Sequence, residues 1–232
     1  MKTSSKILLI TAIVILVFIT ALIIGSRFML NNATDKFSQY SDEELIQKEY
    51  DFQDFNALIV DGIWRIDIKQ GEQYSVKIQY PEYYEDEISI TQKSNELIFK
   101  SDLIRRSRGL LYATITMPQL SAIEILEGSA ISFEQFSCNY LSIRSAGAAK
   151  VKGSDSSIHD LDLFCDGAAH VNLRRSNVFN ATVRLNGASR VSLTMTGGKL
   201  SGSSNGASSI VYYGEVSTQD IATTGAVSIQ HH

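Results

Sequence analysis

A glycine followed by a small residue recurs through the second half of this chain at a spacing that an ordinary globular sheet does not need. The glycines are Gly128, Gly147, Gly167, Gly187, Gly206 and Gly225, separated by 19, 20, 20, 19 and 19 residues. The residue after each is Ser129, Ala148, Ala168, Ala188, Ala207 or Ala226. Four positions after the last five glycines stand Val151, Val171, Val191, Ile210 and Ile229; in the first copy the matching Ile131 comes one position early. A fixed period of this length without helical patterning reads as a solenoid. One copy is two short strands joined at a corner, too small to bury its own apolar face. Stacking copies in parallel, about 4.8 Å apart, buries each Val or Ile on its neighbours. Glycine permits the positive φ of a sharp corner. Asp166, Asn186 and Asn205, just before three of the glycines, suit the same turn. The alanine after the glycine is expected to pack at the inside of the corner. The fold class that follows is all-β, a parallel β-helix, right-handed by the general preference of parallel crossovers.

The strands begin before the repeat is regular. From Phe55 onward "ALIVDGIWRIDIKQG", "YSVKIQY", "DEISITQ", "ELIFKS" and "YATITMP" alternate apolar with polar residues, the pattern of half-buried strands. Upstream, "SDEELIQKEY" has Ser41 and Glu44 in capping-box spacing, which predicts a short helix from about Asp42 to Tyr50. Further upstream, an apolar run from Ile7 to Gly25 lies between Lys6 and Arg27. It is long enough to cross a bilayer. It lacks an Ala-x-Ala cleavage site and a following cysteine, so an uncleaved signal anchor is favoured over a cleaved signal. Lys2 and Lys6 on its amino-terminal side place the rest of the chain outside the cytoplasm. The expected organisation is a transmembrane segment over 1–27, a tether with a capping helix over 28–53, and one solenoid domain over 54–230.

The segment "FNALIVDGIWRIDIKQGEQYSVKIQYPEYYEDEISITQKSNELIFKS", then "YATITMPQLSAIEILEGSAISF" and the Gly-Ala rungs, resembles the bacterial "putative auto-transporter adhesin, head GIN domain" family over about residues 54–230. The resemblance implies a β-solenoid of the bacterial envelope with no assigned activity and no known catalytic residues. Autotransport itself is not expected from this sequence, which shows no stretch for a membrane barrel after Gln230.

Residues that carry chemistry are sparse. "GSSNG" matches G-x-S-x-G around Ser204, but a nucleophile elbow needs a helix after it and none is expected. In "HDLD", Asp160 and Asp162 point outward about 6.8 Å apart. Their column neighbours are Tyr140, Asn180, Ser142 and Thr182, without another carboxylate, so a solvated strand face is expected rather than a Ca²⁺ or glycan-cleaving site. No catalytic residue, metal ligand or cofactor motif is assigned. Cys138 and Cys165 are the two cysteines of the chain. The phase of the repeat turns Cys165 inward and puts Cys138 elsewhere in its rung, so two unpaired thiols are favoured over a bridge.

Basic residues are better placed. The third position after the corner glycine faces outward and holds Lys150, His170 and Arg190 in successive rungs. Like charges stacked at rung spacing repel. They fit either an anionic ligand lying along the column or a solvated surface. Arg144 and Arg184, with Phe164 between them, form a second outward column. Arg105, Arg106 and Arg108 lie in a loop, and Tyr80, Tyr83 and Tyr84 form an aromatic cluster in an acid-rich turn. The net charge of −4 points to no nucleic-acid partner. The expected function is a non-catalytic, membrane-anchored module for binding, adhesion or scaffolding in the periplasm or on the cell surface. A polysaccharide-processing β-helix enzyme is the alternative, disfavoured by the missing carboxylate cluster. Expected partners are the membrane, an acidic polysaccharide or envelope protein, and a second chain through the C-terminal rung, where Val227 and Ile229 have no successor.

Overall fold

The computed structural model describes residues 45–102 and 111–232, and these residues are built from strands. The first are β1 (Leu45–Tyr50), β2 (Ala57–Asp61), β3 (Arg65–Gln70), β4 (Ser75–Pro81), β5 (Ile88–Lys93) and β6 (Glu96–Ser101). Next come β7 (Tyr112–Met117), β8 (Ala122–Ile125), β9 (Ala130–Glu134), β10 (Ser137–Ser145), β11 (Lys150–Gly167) and β12 (His170–Gly187). The last are β13 (Arg190–Thr196), β14 (Lys199–Gly206), β15 (Ser209–Glu215), β16 (Thr218–Gly225) and β17 (Ser228–His231).

Two parallel ladders meet at the glycine corners. One runs β6–β2–β8–β10–β11–β12–β14–β16. The other runs β7–β3–β9–β11–β12–β13–β15–β17. The inward residues stack in columns, as the period of two requires. Leu97, Leu58, Ile123, Ile143, Leu163 and Val183 form one, all buried. Ile66, Ile131, Val151, Val171, Val191 and Ile210 form another on the second ladder. The apolar residue three positions after Gly128, and four after each later corner glycine, is therefore a rung-to-rung contact.

The rungs do not stack in chain order. The β2–β3 rung has β6–β7 on one side and β8–β9 on the other. Between β3 and β6 the chain leaves the stack and forms antiparallel strands: β4 pairs with β7, and β5 pairs with β6. These close one end of the solenoid, where an open parallel edge would otherwise be exposed. At the other end, among the described residues, β16 pairs with β14 alone and β17 with β15 alone.

Two expectations are corrected. The helix expected over residues 42–50 is a strand from Leu45 onward; β1 pairs antiparallel with β4, from Leu45↔Pro81 to Tyr50↔Val76. The free edge of β4 offers a full row of backbone partners, and the pairing adds Gln79 Nε2 donating to Gln47 at 3.1 Å and a Lys77–Glu49 ion pair at 3.7 Å. A local capping pattern is worth less than a strand's whole set of hydrogen bonds. The alanine after the corner glycine is also not inside the corner. Ala148, Ala168, Ala188 and Ala207 are exposed, and the buried residue is the next one: Ala149, Ala169, Ser189 or Ser208. Ala169→Leu is thus expected to destabilise by roughly 1–3 kcal/mol through overpacking. Ala188→Leu should change stability by less than about 0.5 kcal/mol. Urea unfolding of the two variants checks the order, and a larger loss from Ala188→Leu would reverse this phase.

The membrane segment expected over 1–27 and the start of the tether lie outside the described residues, as do Arg105, Arg106 and Arg108. No helix among the described residues is long and apolar enough to cross a membrane.

Candidate functional site

The outward third position of the corner forms one continuous column. Strand register aligns Lys150 with His170 and His170 with Arg190, and continues to Ser209. In the other direction it passes Ala130 to Arg65. Arg65 is a member of the column that sequence reasoning missed. Its place depends on β3 pairing with β9, whereas its position in the chain lies ahead of the regular repeat. Its guanidinium sits 5.6 Å from the Tyr112 ring centroid, which fixes its direction. Among the described residues no carboxylate lies within ion-pair distance of Lys150, His170 or Arg190.

Beside the column the corners open a groove of about 350 Å³. Its floor is the run of small residues, among them Ala188, Ser189 and Ala226, and its edge carries His170, Arg190 and Ser209. The groove exists because no large side chain stands at the corner. It crosses successive rungs, so a ligand filling it would run along the stack rather than along a strand.

The second arginine column has a different role. Arg144 aligns with Phe164 and Phe164 with Arg184, as expected, but both guanidiniums turn to Asp162 on the middle rung. Arg184 donates to Asp162 Oδ1 at 2.5 Å and Arg144 lies 3.7 Å from Oδ2. Asp162 is the least exposed of the three, at 18%. The carboxylate offsets the repulsion between the two arginines, and these residues do not line the groove.

The remaining candidates separate cleanly. Ser204 is fully buried in an inward column with Leu185 and Thr223, so its hydroxyl faces the core and not a substrate. Asp160 accepts from Asn180 Nδ2 at 2.8 Å and lies 3.3 Å from His159 Nδ1; these contacts, Asn180 first, hold its carboxyl below the usual value. No group of three or more His, Cys, Asp or Glu among the described residues could hold a metal ion. Tyr80 is buried and leaves the aromatic cluster, while Tyr83 and Tyr84 meet edge to face at 4.3 Å in the short 3-10 turn Glu82–Glu87. Cys165 lies between Ser145 and Leu185, and Cys138 beside Ile158, both as buried free thiols.

The model of the family described as putative auto-transporter adhesin, head GIN domain, matches residues 54–231. No curated protein matches the sequence. Among solved structures, a putative adhesin from Bacteroides fragilis is similar at a TM-score of 0.62 and 18% identity, covering 82% of this chain and 98% of its own. A putative lipid binding protein from Parabacteroides distasonis is similar at a TM-score of 0.52 and 12% identity, over 82% of this chain and 98% of its own. A putative adhesin from Parabacteroides merdae follows at a TM-score of 0.50 and 14% identity, over 82% of this chain and 97% of its own. At these identities the likeness is one of fold.

Proposed function

The chain belongs to the putative auto-transporter adhesin, head GIN domain family, and from that premise we propose that it is a non-catalytic envelope module holding an anionic polymer along its corner groove. The observation that carries this reading is the union of two features: a groove crossing the rungs, and a column of basic residues without carboxylate partners, of which His170 and Arg190 line the groove and Lys150 continues the column by one rung. Lys150 and Arg190 lie two rungs apart with His170 between them, and a polyanion lying across the column would neutralise both cations. Residues 1–27 would tether the module to the membrane, with the solenoid outside the cytoplasm and wound in the right-handed sense. An enzymatic reading finds no support in the carboxylates, since Asp162 is held by two arginines and Asp160 by Asn180 and His159.

Binding of polygalacturonate to the full-length protein tests this. Affinity should fall steeply as salt is raised, because exposed charges are screened over about 10 Å at 0.1 M. Replacing Lys150, His170 and Arg190 together by Ser should weaken binding by at least about tenfold. Replacing Arg144 should do little. Unchanged binding by the triple variant would remove the groove as the site.

A further inference from the structure

A different corner of the rung carries exposed aromatic rings around a fixed polar pair. Tyr140 in β10 aligns with Asp160 in β11, and Asp160 with Asn180 in β12. Tyr140 is 51% exposed and Phe179, the neighbour of Asn180, 40%. Strand spacing sets Tyr140 and Asn180 two rungs, or about 10 Å, apart. The His159 ring packs against Phe179 with centroids 5.0 Å apart, which fixes one side of the phenyl ring. On the next rung the chain passes as Gly197–Gly198, the bend between β13 and β14. A Cβ on Gly198 would lie 2.0 Å from the Phe179 carbonyl oxygen, so the backbone runs close with no side chain. A Cβ on Gly197 would meet nothing within 4 Å.

The polar groups here are held in place. Asp160 Oδ1 accepts from Asn180 Nδ2, and Asn180 Oδ1 accepts from the Lys199 backbone N–H at 2.9 Å. His159 Nδ1 lies 3.3 Å from the other carboxylate oxygen, Asp160 Oδ2. A carboxylate has about four acceptor positions and an amide oxygen two, so both groups retain acceptor capacity beyond these contacts. We infer that this corner is a second binding site, taking a neutral sugar ring of a linear glycan, with its C–H face on Phe179 and its hydroxyls donating to Asp160 and Asn180. The chemistry selects that class. A sugar offers an apolar face and a donor-rich rim, matching aromatic rings that flank acceptors. An anionic polymer would meet the Asp160 carboxylate. A wholly apolar protein surface would desolvate that carboxylate without a partner, which is costly. The site shares no residue with the corner groove and does not depend on it.

The test uses the full-length protein with chitohexaose and cellohexaose, by saturation-transfer NMR and calorimetry. At least one hexasaccharide should bind. Phe179→Ala, and separately Asp160→Ala, should each weaken it by about tenfold or more with melting unchanged. Binding should persist in high salt and in the variant lacking Lys150, His170 and Arg190, which separates this site from the groove. Absence of transfer to both sugars overturns the proposal. So does binding insensitive to both substitutions, or self-association that disappears in Phe179→Ala.

Discussion

Gly187→Ala is expected to destabilise the protein by roughly 3 kcal/mol, far more than a surface glycine normally yields. Two effects combine at this corner. The backbone has φ of +106°, which a side chain tolerates poorly, and a Cβ would lie 2.6 Å from the carbonyl oxygen of Gly167 on the preceding rung. That oxygen cannot move away freely, because it accepts the backbone N–H of Ala188 at 2.9 Å. Gly206 and Gly225 repeat the arrangement, each 2.6 Å from the carbonyl oxygen of the corner before it. Gly197 separates the two effects: its φ is +102°, yet nothing lies within 4 Å of an added Cβ. Gly197→Ala should cost only the conformational strain, about 1–2 kcal/mol. Urea unfolding of both variants makes the comparison. Equal losses would mean that close rung approach contributes nothing at the corner, and the glycine column would then reflect turn conformation alone.

Raising the pH above about 9 should destabilise the protein through its two thiols. Burial pushes Cys138 up to about 11 and Cys165 up to about 12, from an ordinary value of 9.0. The folded chain therefore keeps protons that the unfolded chain releases. Below about pH 9 both states are protonated and the contribution to stability is present in full. Above it, stability falls by about 1.4 kcal/mol per pH unit per thiol. The loss continues until the folded thiols themselves titrate near 11 and 12. Near pH 10.5 the two together account for about 3–4 kcal/mol. Other groups titrate in this range, so the informative quantity is a difference. The parent should lose stability with pH more steeply than a Cys138→Ala, Cys165→Ala double variant. Parallel slopes would show that neither thiol is as buried as the structure places it. The same burial predicts slow alkylation of the native protein at neutral pH, since the thiolate is the nucleophile.

The repeat was legible in the sequence because its cause is local to each rung. A corner needs glycine at one fixed position, an inward strand needs Val or Ile four residues later, and both needs recur every rung. Counting residues therefore sufficed to align Lys150, His170 and Arg190, and to place Arg144, Phe164 and Arg184 in one column. Two things were decided elsewhere. The order of rungs depends on which strand edge each segment meets, and nothing in "ELIFKS" or "YATITMP" says that β6–β7 stacks outside β2–β3. The strand at Leu45–Tyr50 exists because β4 presents an edge, so a sequence with local helix-capping signals pairs instead. The corner alanine, by contrast, was legible: counting back in twos from Val191 turns Ser189 inward and Ala188 outward, as the structure has them. The candidate sites divide along the same line. Columns come from the period, but the arginines' commitment to Asp162 and the addition of Arg65 beyond Ala130 come from contacts between residues that the repeat does not relate. Sequence determined what each rung is made of, and tertiary packing determined which rungs meet and which charges remain free.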